Sequence, residues 1–285
     1  MKNVKVFTES CIDLLPASAE EFGISVIPDI IIFDDKEYFN NVTIDAPTFY
    51  SMLKSHSHLP TTAHPSVGMF MQAFSSAADY DEIICINVTS EMSGTHNTAN
   101  LAKDILEEEG FKPSIYTFDS RVVSYGLLLF AIEAARMAEM GKSAAEIIER
   151  LESMRGRVGV YFVMKSLKLV RKMGRIFFMK ALVADALDMK PIMTFHEGLV
   201  TDIGVVRGFR EALGEIFKHY RDRAVRGQEI YIFHADNEND AEYLAEMIRE
   251  IDSQVLIHIE WVGPALGVYT GEGIVGIAFH ESCGR

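Results

Sequence analysis

Long apolar runs are missing from this 285-residue chain, and so is any surplus of basic residues. No window approaches the ~20 consecutive apolar residues that a membrane-spanning helix requires, so no transmembrane segment is expected. The opening MKNVKVFTES carries no apolar signal segment with a cleavage site, and the expected location is cytoplasmic. Lys and Arg number 27 against 41 Asp and Glu, a formal net charge of −14 that argues against a nucleic-acid partner. An anionic ligand would have to be held by local dipoles rather than by the overall field. Cysteine is scarce: Cys11, Cys85 and Cys283 make neither a C-x-x-C pair nor an even disulfide framework, and reduced thiols are the simplest reading.

Familiar catalytic motifs are also wanting. No G-x-S-x-G elbow surrounds Ser93, and His196-Glu197 and His280-Glu281 do not extend to H-E-x-x-H, so no metal site is expected. Gly271-Glu-Gly273-Ile-Val-Gly276 fits G-x-G-x-x-G, but too little chain follows it for the helix of a βαβ unit. Gly141-Lys142-Ser143 lies between two predicted helices and lacks the first glycine of a phosphate loop. No cofactor is expected.

What is present centres on Glu82 to Leu106. EIICINVT reads as a buried parallel strand, SEMSGTH follows, and from Thr95 the spacing turns helical, with Gly110 as the stop. Ser93-Gly94-Thr95 therefore occupies a strand-to-helix corner. Such a corner offers helix N–H groups, a partial positive charge and hydroxyls, which suit a carboxylate or phosphate. A simple helix cap uses the same residues.

Other segments follow the same plan. Val4–Phe7 reads as a strand ending at Thr8-Glu9-Ser10, Ser25–Phe33 as a second strand, and LPTTAHPS (59–66) as an extended stretch bearing Thr61 and Thr62. Pro113–Phe118 forms another strand ending at Asp119-Ser120, and Ser143-Ala-Ala-Glu146 is a capping box. Alternating strands and helices predict an α/β fold with a mostly parallel N-terminal sheet flanked by helices. Thr8–Ser10, Ser90–Thr95 and Asp119-Ser120 should then share the carboxyl-end rim where open sheets bind ligands, with Thr62 joining from its loop and His64 beside the candidate threonines. Hairpins mixed with helices after Gly156 suggest a second, α+β domain, giving boundaries of 1–156 and 157–285. A basic run, Lys165, Lys168, Arg171, Lys172 and Arg175, interrupts the acidic background as a solvated face or a docking patch, and Arg207 adds to it.

Taken together, these segments resemble the DegV family of bacterial fatty-acid-binding proteins. T-E-S-C-I-D-L-L-P, P-T-T-A-H-P-S, M-S-G-T-H-N-T-A, F-D-S, L-V-R-K-M-G-R-I, K-P-I, V-R-G and Y-T-G-E-G-I-V-G carry the likeness along most of the chain. The resemblance implies two domains, a long-chain fatty acid with its carboxylate at their interface, and an acyl chain buried in the second. It implies that Thr62 and Ser93 hydrogen-bond the carboxylate, that Gly94 and Thr95 offer backbone N–H groups, and that Arg175 and Arg207 face a partner fatty-acid kinase or the acyl phosphate. Three positions depart from the family pattern: Glu9 for Asp, Ala63-His64 for Ser-Gln, and Tyr269-Thr-Gly-Glu272-Gly for His-Thr-Gly-Pro-Gly. Tyr269 still donates a hydrogen bond but carries no positive charge near neutral pH, and Glu272 adds a negative one.

The expected function is a non-catalytic, lipid-binding subunit that presents its fatty acid to a separate kinase. An enzyme acting on a small anionic substrate, with His64 or Tyr269 in proton transfer, and a regulatory lipid-sensing module are the alternatives.

Overall fold

The structure, a computed structural model, describes residues 3–172 and 188–282. The described chain runs β1 (Val4–Glu9), α1 (Pro16–Glu21), β2 (Ile24–Ile27), β3 (Ile30–Phe33), β4 (Lys36–Phe39), α2 (Ala46–Ser55), β5 (Thr61–Ala63), α3 (Val67–Ser75), β6 (Glu82–Asn87), α4 (Thr95–Glu108), β7 (Ser114–Asp119), α5 (Ser124–Glu139) and α6 (Ala144–Met154). It continues through β8 (Val158–Val163), α7 (Lys168–Lys172), β9 (Met189–His196), β10 (Leu199–Arg207), α8 (Phe209–Arg223), β11 (Ile230–His234), α9 (Glu238–Ile251), β12 (Ile257–Trp261), α10 (Pro264–Thr270) and β13 (Val275–His280). No helix among the described residues is long and apolar enough to cross a membrane.

The chain divides into two compact units, Met1–Asp45 with His58–Arg155, and Ala46–Ser57 with Gly156–Arg285. Although Ala46–Ser57 precedes Gly156 in sequence, it belongs to the second unit. Within that unit α2 packs on α10, where Gly267 leaves room for Phe49 and Tyr50: a Cβ there would lie 2.6 Å from the Phe49 ring.

The first unit holds the expected parallel sheet, in the order β2-β1-β6-β7. β6 is central and buried at every position, which is why EIICIN is apolar almost throughout. Phe7, Phe70, Phe74, Ile83, Cys85 and Ala99 belong to the core cluster involving one face. The stretch 25–33, read from sequence as one strand, is two: β2 joins the parallel sheet, whereas β3 pairs with β4 and β5 in a separate three-stranded sheet. The break falls at Pro28, which has no N–H for a ladder, and at the buried Asp29. Ser66 caps α3 by accepting from the Met69 N–H at 3.3 Å, and the Ser143–Glu146 capping box forms as the sequence suggests.

The second unit is built on a mixed sheet, β10-β9-β8-β13-β11-β12, in which only β11 and β12 run parallel. Glu197 and Gly198 both take positive φ in the β9–β10 hairpin, as a tight primed turn requires. α8 and α9 cover one face, burying Leu213, Ile216, Leu244 and Ile248 against Val163, Ile232 and Ile277. Met164 and Met193 are buried here as core. The helix α10, which carries Tyr269, has no counterpart in the sequence reading: a run of small residues between strands gave too weak a period.

Candidate anion-binding site

The parallel register fixes the rim of the first unit. β1, β6 and β7 all end at the same edge, with Glu9 near Val88 and Asn87 opposite Asp119. The chain leaving β6 is tied down at once. Thr89 N–H donates to Val122 O at 3.1 Å, and Ser90 donates through its N–H and hydroxyl to the Asp119 carboxylate at 3.2 and 2.7 Å. Met92 and Ser93 N–H groups then return to Thr89 O, closing a tight turn into α4.

At the start of α4 the Ser93 and Thr95 hydroxyls lie 2.7 Å apart, and Ser93 Oγ also accepts from the Thr95 N–H at 3.3 Å. The N-cap is Gly94, which supplies no side-chain cap. The 14-residue helix has no acid in its first turn to offset the positive end of its dipole. Thr95 is buried, Ser93 half-buried and Gly94 exposed. Ser93 thus supports the helix start as well as carrying a hydroxyl at the surface, and the two sequence readings are not exclusive.

His64 completes this corner. Its Nε2 lies 3.0 Å from the Thr98 hydroxyl, and its ring passes over Gly94, where an added Cβ would sit 3.3 Å from Cε1. The glycine is therefore explained by His64 rather than by backbone freedom, since its φ of −76° suits any residue. Thr62, half-buried, is on β5 opposite Ile31, two residues before His64. His64, Ser93, Gly94 and Thr95 are thereby brought together. Tyr269, on α10, and Arg207, exposed at the end of β10, belong to the second unit, and Arg175 lies outside the described residues. Within the second unit Lys54 pairs with Asp236 and stands 3.9 Å from Glu272, offsetting the negative charge that the sequence comparison singled out.

Beneath the corner lies a floor that sequence reading missed. Thr8, Glu9 and Ser10, read as a polar rim loop, are completely buried. Glu9 Oε1 accepts from the Val88 N–H at 2.9 Å and from Asn87 Nδ2 at 3.4 Å, whereas Oε2 has no partner among the described residues. Desolvation first, then the nearby Asp29 charge, raises the Glu9 carboxyl to about 8. Asp29 is raised by the same desolvation, although the Ser10 hydroxyl donates to it at 2.8 Å and Cys11 Sγ at 3.5 Å. Ser10 Oγ accepts in turn from the Asp29 N–H and from Asn40 Nδ2. The signal for this floor was the polar T-E-S after an apolar strand, but only burial turns those residues into a network.

Glu9, Cys11 and Asp29 bring potential metal ligands within 4.8 Å of one another. A metal needs them deprotonated, and burial holds all three towards their protonated forms, so the donor set does not fit a cation. Among the described residues, both hydrogen-bonding partners of the Ser93 hydroxyl oxygen belong to Thr95, and no base addresses it there. The arrangement is a set of donors at a helix start.

Fold and site together define a two-unit α/β protein with an anion-suited corner on its parallel sheet. A family profile described as "Uncharacterised protein, DegV family" matches residues 3–282, and the chain belongs to the DegV family. A DegV domain-containing protein of Halalkalibacterium halodurans is 29% identical over 284 residues, covering 98% of this chain and 99% of that one. The crystal structure of DegV from Bacillus subtilis, described as a fatty acid binding protein, superposes with a TM-score of 0.88 at 26% identity, covering 99% of this chain and 100% of that one. The Streptococcus pneumoniae Fatty Acid Kinase (Fak) B3 protein loaded with linoleic acid shares the fold, with a TM-score of 0.83 at 21% identity, covering 98% and 99%.

Proposed function

We propose that this chain is a cytoplasmic fatty-acid carrier that works as the substrate-presenting subunit of a kinase system. Ser93 and Thr62 hydrogen-bond the carboxylate, Gly94 and Thr95 add backbone N–H groups, and His64 and Tyr269 contribute polar contacts. The second unit is assigned the acyl chain. The observation that carries the reading is the Ser93–Thr95 hydroxyl pair at a helix start whose N-cap residue, Gly94, supplies no side chain, in a family whose Bacillus subtilis member is described as binding fatty acids.

Magnitudes divide the work. At ~0.8 kcal/mol per buried methylene, a long acyl chain supplies on the order of 10 kcal/mol. Each hydrogen bond to the charged head adds about 1.5–3 kcal/mol, so the corner orients what apolar burial retains. Arg207 and the basic run are assigned to the kinase or the acyl phosphate, with no catalysis by this chain alone.

Denaturing extraction and mass spectrometry of the purified protein should recover a stoichiometric long-chain fatty acid. A folded Thr62→Ala/Ser93→Ala variant should lose it. Absence of lipid, even after incubation with a fatty-acid mixture, would sink the carrier reading, and turnover without a kinase would replace it by an enzyme.

A further inference from the structure

Both nitrogens of His64 lie at the head-group corner, and one of them is still open. The atoms nearest the Cβ that Gly94 lacks are His64 Cε1, Nε2 and Nδ1, at 3.3, 3.6 and 3.8 Å, so the ring turns its nitrogen-bearing edge to the glycine. Nε2 is 3.0 Å from the Thr98 hydroxyl, which itself stands 3.2 Å from the Gly94 carbonyl oxygen. Thr98 has one hydroxyl proton to place. Given to Gly94 O, it leaves Thr98 to accept from a protonated Nε2, and both bonds form; given to Nε2, it forfeits the bond to the carbonyl. The fuller set of bonds puts the ring proton on Nε2 and leaves a lone pair on Nδ1, which has no partner among the described residues.

The corner also has no acid waiting for a charged imidazole. The first turn of α4 is free of acids, and α3 carries no charged residue. Further along α4, Lys103 lies near Asp104 and Glu107, and His96 turns to Asn87. On the side of β3, β4 and β5, His58 is 3.2 Å from Asp34, and Lys36 lies over the Tyr38 ring. Neither these groups nor Glu37 on β4 and Glu91 in the turn before α4 come within ion-pair distance of His64. An imidazolium here meets the partial positive charge of the helix start, and the two repel; a carboxylate in the corner offsets both.

We propose that His64 is a proton-linked head-group residue: a carboxylate bound at Ser93 and Gly94 draws one proton from solvent onto Nδ1, and the imidazolium so formed donates to it. This rests on the carrier reading and adds to it a ligand-contacting charge that appears with occupancy. No covalent bond is made or broken.

Oleic acid binding, followed by calorimetry below the aggregation limit of the lipid in buffers of different ionisation enthalpy, reads the proton directly. Wild type should take up protons as oleate binds, and its affinity should fall about tenfold between roughly pH 6 and pH 8.5. His64→Gln keeps a donor for Thr98 without a titrating ring, so it should take up no proton and bind at the weak level throughout. Ring-nitrogen NMR gives a second readout: Nδ1 should be unprotonated in the free protein and protonated with oleate, a change that a merely structural His64 would not show. Equal proton uptake and parallel pH profiles in wild type and His64→Gln, or an Nδ1 that stays unprotonated in the complex, would overturn the proposal while leaving the carrier intact. No binding by wild type at any pH would overturn both.

Discussion

Glu281 and Glu9 are both glutamates buried at the end of a strand or just beyond one, yet their surroundings solve the same electrostatic problem in opposite ways. In the second unit Glu281 accepts from Arg223 at 3.0 and 2.8 Å and from the Tyr161 hydroxyl at 2.6 Å. In the first unit Glu9 and Asp29 have amide, hydroxyl and thiol donors but no cation among the described residues, and their carboxyls are pushed up instead. A cation neutralises Glu281, and a proton neutralises Glu9. The first arrangement holds its acid in an ion pair, whereas the second leaves chargeable groups directly beneath the candidate site.

Substitutions that remove one partner should separate the two solutions. The largest effect is expected from Arg223→Met, which leaves the buried Glu281 without its cation: about 3 kcal/mol of stability lost, read by urea denaturation. A loss near zero would show that Glu281 does not depend on this ion pair. Ser10→Ala removes the hydroxyl that serves Asp29 and Asn40 together, with an expected cost of about 2 kcal/mol. The loss should shrink in acid, where a protonated Asp29 no longer needs the donor.

Glu9→Gln has the most informative sign. Below the ordinary carboxyl value of 4.5 the group is protonated folded and unfolded alike and does not bias folding. As pH rises the unfolded chain releases its proton while the folded chain keeps it, so wild-type stability falls until the folded carboxyl ionises near 8. The amide of the variant does not titrate. Glu9→Gln should therefore match wild type near pH 4 and exceed it by at least about 1 kcal/mol near pH 9, in thermal melts across that range. A constant difference would mean that Glu9 is not held protonated.

The polar corner was legible because its chemistry is local. Ser93-Gly94-Thr95 follows an apolar strand and precedes a helical period, and strand alternation placed its partners on one edge. The family match extends this to nearly the whole chain. Other features were hidden because they depend on long-range contacts. Residues 25–33 are mostly apolar, so nothing in their period marked the passage between two sheets. Ala46–Ser57 lies early in sequence yet packs against α10, more than 200 residues away. The polar T-E-S of β1 carried no sign of complete burial.

The sequence by itself determined most element types, the parallel first sheet and the hydroxyl-bearing corner, since periodicity, capping and turn chemistry act over a few residues. Only the tertiary structure decided that Glu9 and Asp29 share one buried space with no cation among the described residues, that His64 lies over Gly94, and that Lys54 offsets Glu272. Desolvation and ion pairing depend on which groups are neighbours in space, and in a chain of alternating strands and helices those neighbours are mostly distant in sequence.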